Sequence, residues 1–243
     1  MNIGFKIFSP DQVELLEKFS DYVDFVEIMA VQSYRIDAFD GIKLPIYIHC
    51  EHEDFGINLP DLGKEQASRQ AISHSLKLAD RLKAIKVVVH PGYIDNDKCS
   101  EDQAIKILSG FNDDRIIIEN MPVKGANNYL CRETESIGNF MARSGKGFCL
   151  DFGHATLAAK AGNNDPAEFV ESLVGLGPVY YHISDTIYAE LDDHRHLGRG
   201  DSPLKQYLKL IPWDSYVTVE TAKENEQVML ADIRYLREFE SIK

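Results

Sequence analysis

The stretch RIIIENMP, residues 115–122, decides the fold. Its three isoleucines, Ile116 to Ile118, read as a strand buried on both faces, the habit of parallel sheets covered by helices. The run stops at Glu119, a carboxylate that is costly to bury unless it is partnered. Five other runs share the design, an apolar strand closed by a residue able to bind a metal. They are LPIYIHC (44–50, with His49), IKVVVHPG (85–92, with His90), GFCLDFGH (147–154, with Asp151 and then His154), PVYYHISD (178–185, with His182) and SYVTVET (215–221, with Glu220). The loop DDHRH, 192–196, adds Asp192 and His194 in D-x-H spacing.

Outward from these runs, β-rich segments alternate with helical ones. Strands are predicted near 2–7, 22–28, 44–50, 85–90, 115–119, 147–151, 178–183 and 215–221. Helices are predicted near 10–19, 63–83, 99–109, 131–143, 153–161 with 165–175, 203–210 and 224–239, and 32–40 reads as a turn or a short helix. Eight strand–helix units predict an α/β fold, a (β/α)8 TIM barrel with a parallel sheet. The 243 residues suit one such barrel, about 250 residues in general, so 1–243 reads as a single domain without a linker. An open doubly wound sheet would gather ligands at one switch point, not on six strands in succession. Pro10 and Pro203 follow Ser9 and Ser202, and Pro166 follows Asp165, all in N-cap order. Gly110 and Gly145 stand where helices end.

Hydrophobic content of 44% and charged content of 27% are those of an ordinary globule, and no apolar run is long enough to cross a membrane. The net charge of −13 weighs against a broad basic footprint for nucleic acid, although four of the acids belong to the proposed site. The four cysteines (Cys50, Cys99, Cys131, Cys149) show no C-x-x-C spacing, and the opening MNIGFKIF reads as a strand, so a secretory segment is not expected. Free thiols and a cytoplasmic location are expected.

Residues two apart on a strand share a face, so Glu119 lies over Ile117 and Asp151 over Cys149. At the last inward position of a barrel strand, each ligand points over the core into the mouth. Alone, His90 before Pro91 and Gly92 reads as a structural histidine, Asp151 as a helix N-cap, and Asp192-x-His194 as a polar loop. Together, nine donors at one barrel end point to several metal ions. Imidazole with carboxylate suits zinc, manganese or iron better than calcium. His74 reads as a helix-packing residue, His52 as a lining of the mouth, and His196 as a substrate contact or an exposed side chain. Tyr180, Tyr181 and Phe148 read as core, Cys149 as facing inward and Cys50 as facing the helices.

The ordered set of His49, HPG (90–92), EN (119–120), LDFGH (150–154), HISD (182–185), DDHRHLGRG (192–200) and ET (220–221) resembles the endonuclease IV family (AP endonuclease family 2) of the xylose isomerase-like TIM barrels. The resemblance runs from about residue 45 to 221. It implies up to three zinc ions. The first would take His49, His90 and Glu119, the second Glu119, Asp151, His182 and Glu220, and the third His154, Asp192 and His194. It also implies a DNA-repair hydrolase in which metal-activated water attacks a phosphodiester at an abasic site. Glu119 and Glu220 would orient or deprotonate that water, with His154 beside them as a third catalytic residue.

The chain departs from the family pattern in places. The first strand, IGFKIF, lacks the family's early Gly-Ala-His, and the loop after strand 2, AVQSYRIDAFD, is short. Basic candidates for the mouth are Lys6, Arg35, Lys124, Arg195 and Arg199. The competing expectation is an isomerase or epimerase of a small sugar or sugar phosphate. It would hold one manganese or magnesium ion on Glu119, Asp151, His182 and Glu220, and the two glutamates would move protons. That reading leaves His49, His90, Asp192 and His194 without a role. A barrel keeping its ions for structure alone is a third reading, disfavoured because these ligands face loops and solvent.

Overall fold

Eight parallel strands close on themselves in the computed structural model, which describes residues 1–123, 125, 127–187, 194–222 and 226–242. In chain order the elements are β1 (Asn2–Ile7), α1 (Val13–Phe19), β2 (Phe25–Ala30), β3 (Ile46–Cys50), α2 (Glu65–Leu82), β4 (Val87–Val89), β5 (Tyr93–Ile94), α3 (Glu101–Ser109) and β6 (Ile116–Glu119). They continue with β7 (Asn128–Tyr129), α4 (Thr134–Ser144), β8 (Gly147–Asp151), α5 (Phe152–Ala161), α6 (Pro166–Val174), β9 (Tyr180–Ile183), α7 (Leu204–Leu210), β10 (Tyr216–Val219) and α8 (Glu226–Ile242). The barrel runs β1-β10-β9-β8-β6-β4-β3-β2 and closes on β1. The expected barrel is therefore present, with β2 beginning and ending slightly later than predicted.

Strand parity sorts the apolar side chains into two cores. Inward residues Phe25, Tyr47, Val88, Ile117, Cys149 and Tyr180, with Tyr216 against them, fill the barrel. Tyr47 and Tyr180 stack at 4.2 Å between ring centroids. β1 contributes only Gly4 at this level, because a Cβ there would lie 2.6 Å from the Phe25 ring. The alternate residues, among them Ile3, Ile48, Cys50, Val87, Ile118 and Leu150, join the larger core under the helices. Each large side chain removed from water in this way contributes about 1.5–3 kcal/mol.

The helices follow the same rule at their own period. On α2, Ser68, Ala71, Ile72, Ser75, Leu78 and Ala79 form the buried face, and the helix ends at Lys83 in the left-handed region (φ 55°). Asp165 caps α6 through Ala167 and Glu168 N–H groups, as its place before Pro166 predicts. Gly145 ends α4 with φ 68°, but Gly110 after α3 stays right-handed, so glycine there answers no backbone need. Ser202 does not cap α7; Pro203 holds that position.

The loops after β4 and β6 carry a small addition that no local periodicity announces. β5 and β7 pair antiparallel, Tyr93 opposite Tyr129. Among the described residues no helix is long and apolar enough to cross a membrane.

Candidate metal centre

The parity that fills the barrel also builds its mouth. Two positions beyond the apolar layer come Lys6 on β1, Glu27 on β2, His49 on β3, Glu119 on β6, Asp151 on β8 and His182 on β9. His90 follows β4 on the same parity, and Glu220 follows β10. Most of these side chains are buried, with His90 and Glu220 each open by 11%.

Besides a group of Glu27, His49 and His182, their ligand atoms form two groups that share a carboxylate, each within 4.8 Å: His49 with His90 and Glu119, and Glu119 with Asp151, His182 and Glu220. Glu119 belongs to both. Its Oε2 lies 3.2 Å from Nε2 of His49 and 3.2 Å from Nε2 of His90. Its Oε1 lies 3.4 Å from Nδ1 of His182 and 3.2 Å from Nδ1 of His154. One carboxylate thus turns an oxygen to each group, the geometry of a bridging ligand.

Three buried atoms of the second group have no hydrogen-bond partner: Asp151 Oδ2, His182 Nδ1 and Glu220 Oε2. The last two lie only 2.8 Å apart. Buried polar atoms are almost always satisfied, and three converging on one point fit a cation. Charge agrees. Glu27, Glu119, Asp151 and Glu220 share this volume with one ammonium, Lys6, and unbalanced buried carboxylates cost several kcal/mol each.

Without metal, the ionisation states compensate in part. Burial opposes charge on Glu119, yet His182 and His90 hold its carboxyl well below the usual range. Burial also opposes protonation of His90, but Glu53 and Glu119 outweigh it and pull the ring up to about 10. Asp151 moves the other way, pushed up by burial.

The five candidate histidines each have one ring nitrogen engaged by a protein acceptor, which fixes the ring plane. Nδ1 of His49 meets Cys50 O at 2.9 Å, and Nδ1 of His154 meets Asn120 O at 2.9 Å. Nδ1 of His194 meets Glu220 O at 2.9 Å. Carboxylates hold the other two: Glu53 meets Nδ1 of His90 at 2.9 Å, and Glu27 meets Nε2 of His182 at 2.7 Å. The acids are oriented likewise. Lys6 Nζ holds Oε1 of Glu220 at 2.6 Å, and Oδ1 of Asp151 caps α5 through the His154 N–H at 2.6 Å. The N-cap and ligand readings of Asp151 are therefore compatible, one oxygen for each. Asn120 ties β6 to β8 by exchanging bonds with the Asp151 backbone at 2.8 and 3.0 Å.

Two residues of the third expected set are neighbours. His154 and His194 bring their rings within 5.8 Å, whereas Asp192 lies outside the described residues. His194 is left-handed at φ 45°, a strained conformation for histidine. Its loop is pinned by Asp185, which accepts N–H groups from Gly198, Gly200 and Ser202.

Glu27, Glu53 and the anchoring role of Lys6 were not anticipated. Glu27 and Lys6 had a signal, since each is a charged residue inside an apolar strand on the inward parity. His196, expected as a substrate contact or exposed, is instead buried, with Nδ1 2.6 Å from Asp232. Arg35 is forked onto Asp37, and Arg199 lies in a groove against α8. Lys124 lies outside the described residues. His52 does line the mouth, as expected, in a cavity of about 520 Å³ with Lys6, Phe8, His90 and His194. A larger polar groove of about 880 Å³ along α2 holds none of the ligand groups.

Residues 11–239 match the family described as xylose isomerase-like TIM barrel. A probable endonuclease 4 from Mycobacterium leprae is 27% identical over 214 residues, 83% of this chain and 81% of the relative. The crystal structure of a D-tagatose 3-epimerase-like protein superposes with TM-score 0.81 at 24% identity, covering 100% of this chain and 98% of that one. Endonuclease IV from Thermus thermophilus superposes with TM-score 0.78 at 20% identity, covering 100% of both.

Proposed function

The chain belongs to the xylose isomerase-like TIM barrel family, and from that premise we propose that it is a metal-dependent phosphodiesterase. It would hold up to three ions, zinc first, with manganese or iron suited to the same donors. DNA at abasic sites is the substrate class that the resemblance to the endonuclease IV family implies. The observation that carries the reading is the shared Glu119, with His49 and His90 on one oxygen and His182 on the other. A phosphodiesterase of this kind uses both groups.

When bound, the ions would supply an activated water and neutralise charge developing on the phosphoryl oxygens. The protein's own part is positioning. Glu119 would link the two groups, and Glu220, steadied by Lys6, would face the attacking water. His154 and His194 would hold the third ion beside the leaving oxygen, with Asp192 completing that set.

The second group alone, Glu119, Asp151, His182 and Glu220, is sufficient for a one-metal sugar isomerase. That alternative leaves the burial of His49 and the orientation of His90 by Glu53 unexplained. A direct test loads the protein with zinc or manganese and assays an abasic-site duplex, a chromogenic phosphodiester and a panel of ketoses. Cleavage of a phosphodiester with two or more ions per chain is the expected result. Exchange of a ketose α-proton with one ion per chain, and no cleavage, would replace this reading with the isomerase.

A further inference from the structure

We propose that His52, Glu53 and His90 form a separate divalent-cation site on the rim of the cavity, filled only at excess metal and inhibitory when filled. The inhibition rests on the reading of His90 as a ligand of the inner group; the site itself does not.

One ligand atom from each of His52, Glu53 and His90 lies within 4.8 Å of the other two. Glu53 Oε2 is 3.7 Å from His52 Nδ1 and 2.9 Å from His90 Nδ1. Zinc with bonds of about 2.0–2.2 Å sets tetrahedral ligand atoms roughly 3.4 Å apart. The first spacing already fits, and the second fits once the pair opens by about half an ångström. Asp54 Oδ2, 3.9 Å from His52 Nδ1 and on a well-exposed side chain, can turn in or leave a place for water.

Local structure prepares the donors. His52 is the N-cap of a short 3₁₀ turn, Glu53–Phe55, and its Nδ1 accepts from the Asp54 N–H at a long 3.5 Å. In that tautomer Nδ1 carries no proton toward the Glu53 carboxylate 3.7 Å away, and a cation would take the lone pair from the long Asp54 contact. The His52 ring stacks on His90 at 4.8 Å between centroids with 28° between planes, so the rings are neighbours and His52 must turn off the stack to aim its lone pair at a shared ion.

The two uses of His90 Nδ1 exclude each other. It either donates its proton to Glu53, which fixes the ring for the inner group, or loses that proton to solvent and takes the rim ion. Filling the rim therefore removes the contact that orients His90.

The test counts metal without turnover. Protein stripped by a chelator is dialysed against rising free zinc, and bound zinc is measured. The wild type should reach a tight plateau and then take up one further equivalent. His52→Phe, which keeps a ring against His90, and His52→Ala should keep the plateau and lose the extra equivalent. Where turnover exists, excess zinc should depress the wild-type rate relative to its rate at the plateau, and this ratio should return to one in the variants. The site is refuted if the variants bind the extra equivalent at the same free zinc, or if the wild type stops at the plateau. Absence of any phosphodiesterase activity with the extra equivalent still bound would sink the proposed function and leave the rim site standing.

Discussion

Oε2 of Glu27 lies 2.7 Å from Nε2 of His182 and accepts the Tyr180 hydroxyl at 2.6 Å, which leaves Nδ1 of His182 turned toward Glu220. The relationship joins the aromatic filling of the barrel to the chemistry above it. Tyr180 belongs to the inner apolar layer, and through Glu27 it helps decide which nitrogen of His182 faces the ion position.

Glu27→Gln keeps a hydrogen-bond acceptor for His182 but removes the charge. Partners of this kind tune affinity by about 10–100-fold. Zinc binding measured by competition with a chromogenic chelator should weaken by that order, while the circular dichroism spectrum stays unchanged. Unaltered affinity would show that Glu27 serves folding alone.

Lys6→Met should harm the metal-free protein more than the loaded one. Lys6 is the single ammonium among the buried carboxylates, touching Glu220 at 2.6 Å and Glu27 at 3.4 Å. Removing one partner of a buried ionic group costs about 3–5 kcal/mol. Thermal melts with chelator should show a large drop in Tm, and melts in zinc a smaller one, because bound cations take over part of the neutralisation. Equal drops in both would argue against cation binding beside Glu220.

One substitution tests the site itself and another separates the rival activities. Glu119→Gln should abolish turnover under either mechanism. His90→Ala should abolish phosphodiester cleavage and spare a one-metal isomerase, read from steady-state rates on both substrate classes. Full turnover by Glu119→Gln would show that the site is misassigned.

Metal affinity should rise with pH. In the metal-free protein His90 is pulled up to about 10, so its charge stabilises the fold fully below its ordinary value of 6.5, and this is lost as pH rises through about 10. An arriving ion must expel that proton. The apparent zinc affinity should then climb at least about tenfold per pH unit from near 6.5 to 8, since His182, also raised by its carboxylate neighbours, sheds a proton on binding as well. Calorimetry in buffers of differing ionisation enthalpy should find about one proton released at this histidine, and Glu53→Gln should reduce the release. A flat profile would place His90 outside the metal centre.

Much of this was readable beforehand, for one reason. Period-two alternation converts an apolar strand ending in a donor into a statement about direction, so Ile117 below Glu119 and Cys149 below Asp151 were placed correctly. Applied to FVE and GFK, the same rule sets Glu27 above Phe25 and Lys6 above Gly4. Those two escaped because neither is a customary ending for such a run. The β5–β7 pair was illegible for a different reason: two residues from each of two loops carry no period. Gly110 and Ser202 show the limit of punctuation, since residue types that suit a helix end also occur there without being used.

Glu119 and the donors around it come from six different staves of one closed cylinder. No fragment of the polypeptide can assemble the full set, and during synthesis the second group stays incomplete until β10 has been made and docked. Ion uptake would thus act as a late seal on the finished barrel, and a chelator would serve as a probe of whether closure has occurred.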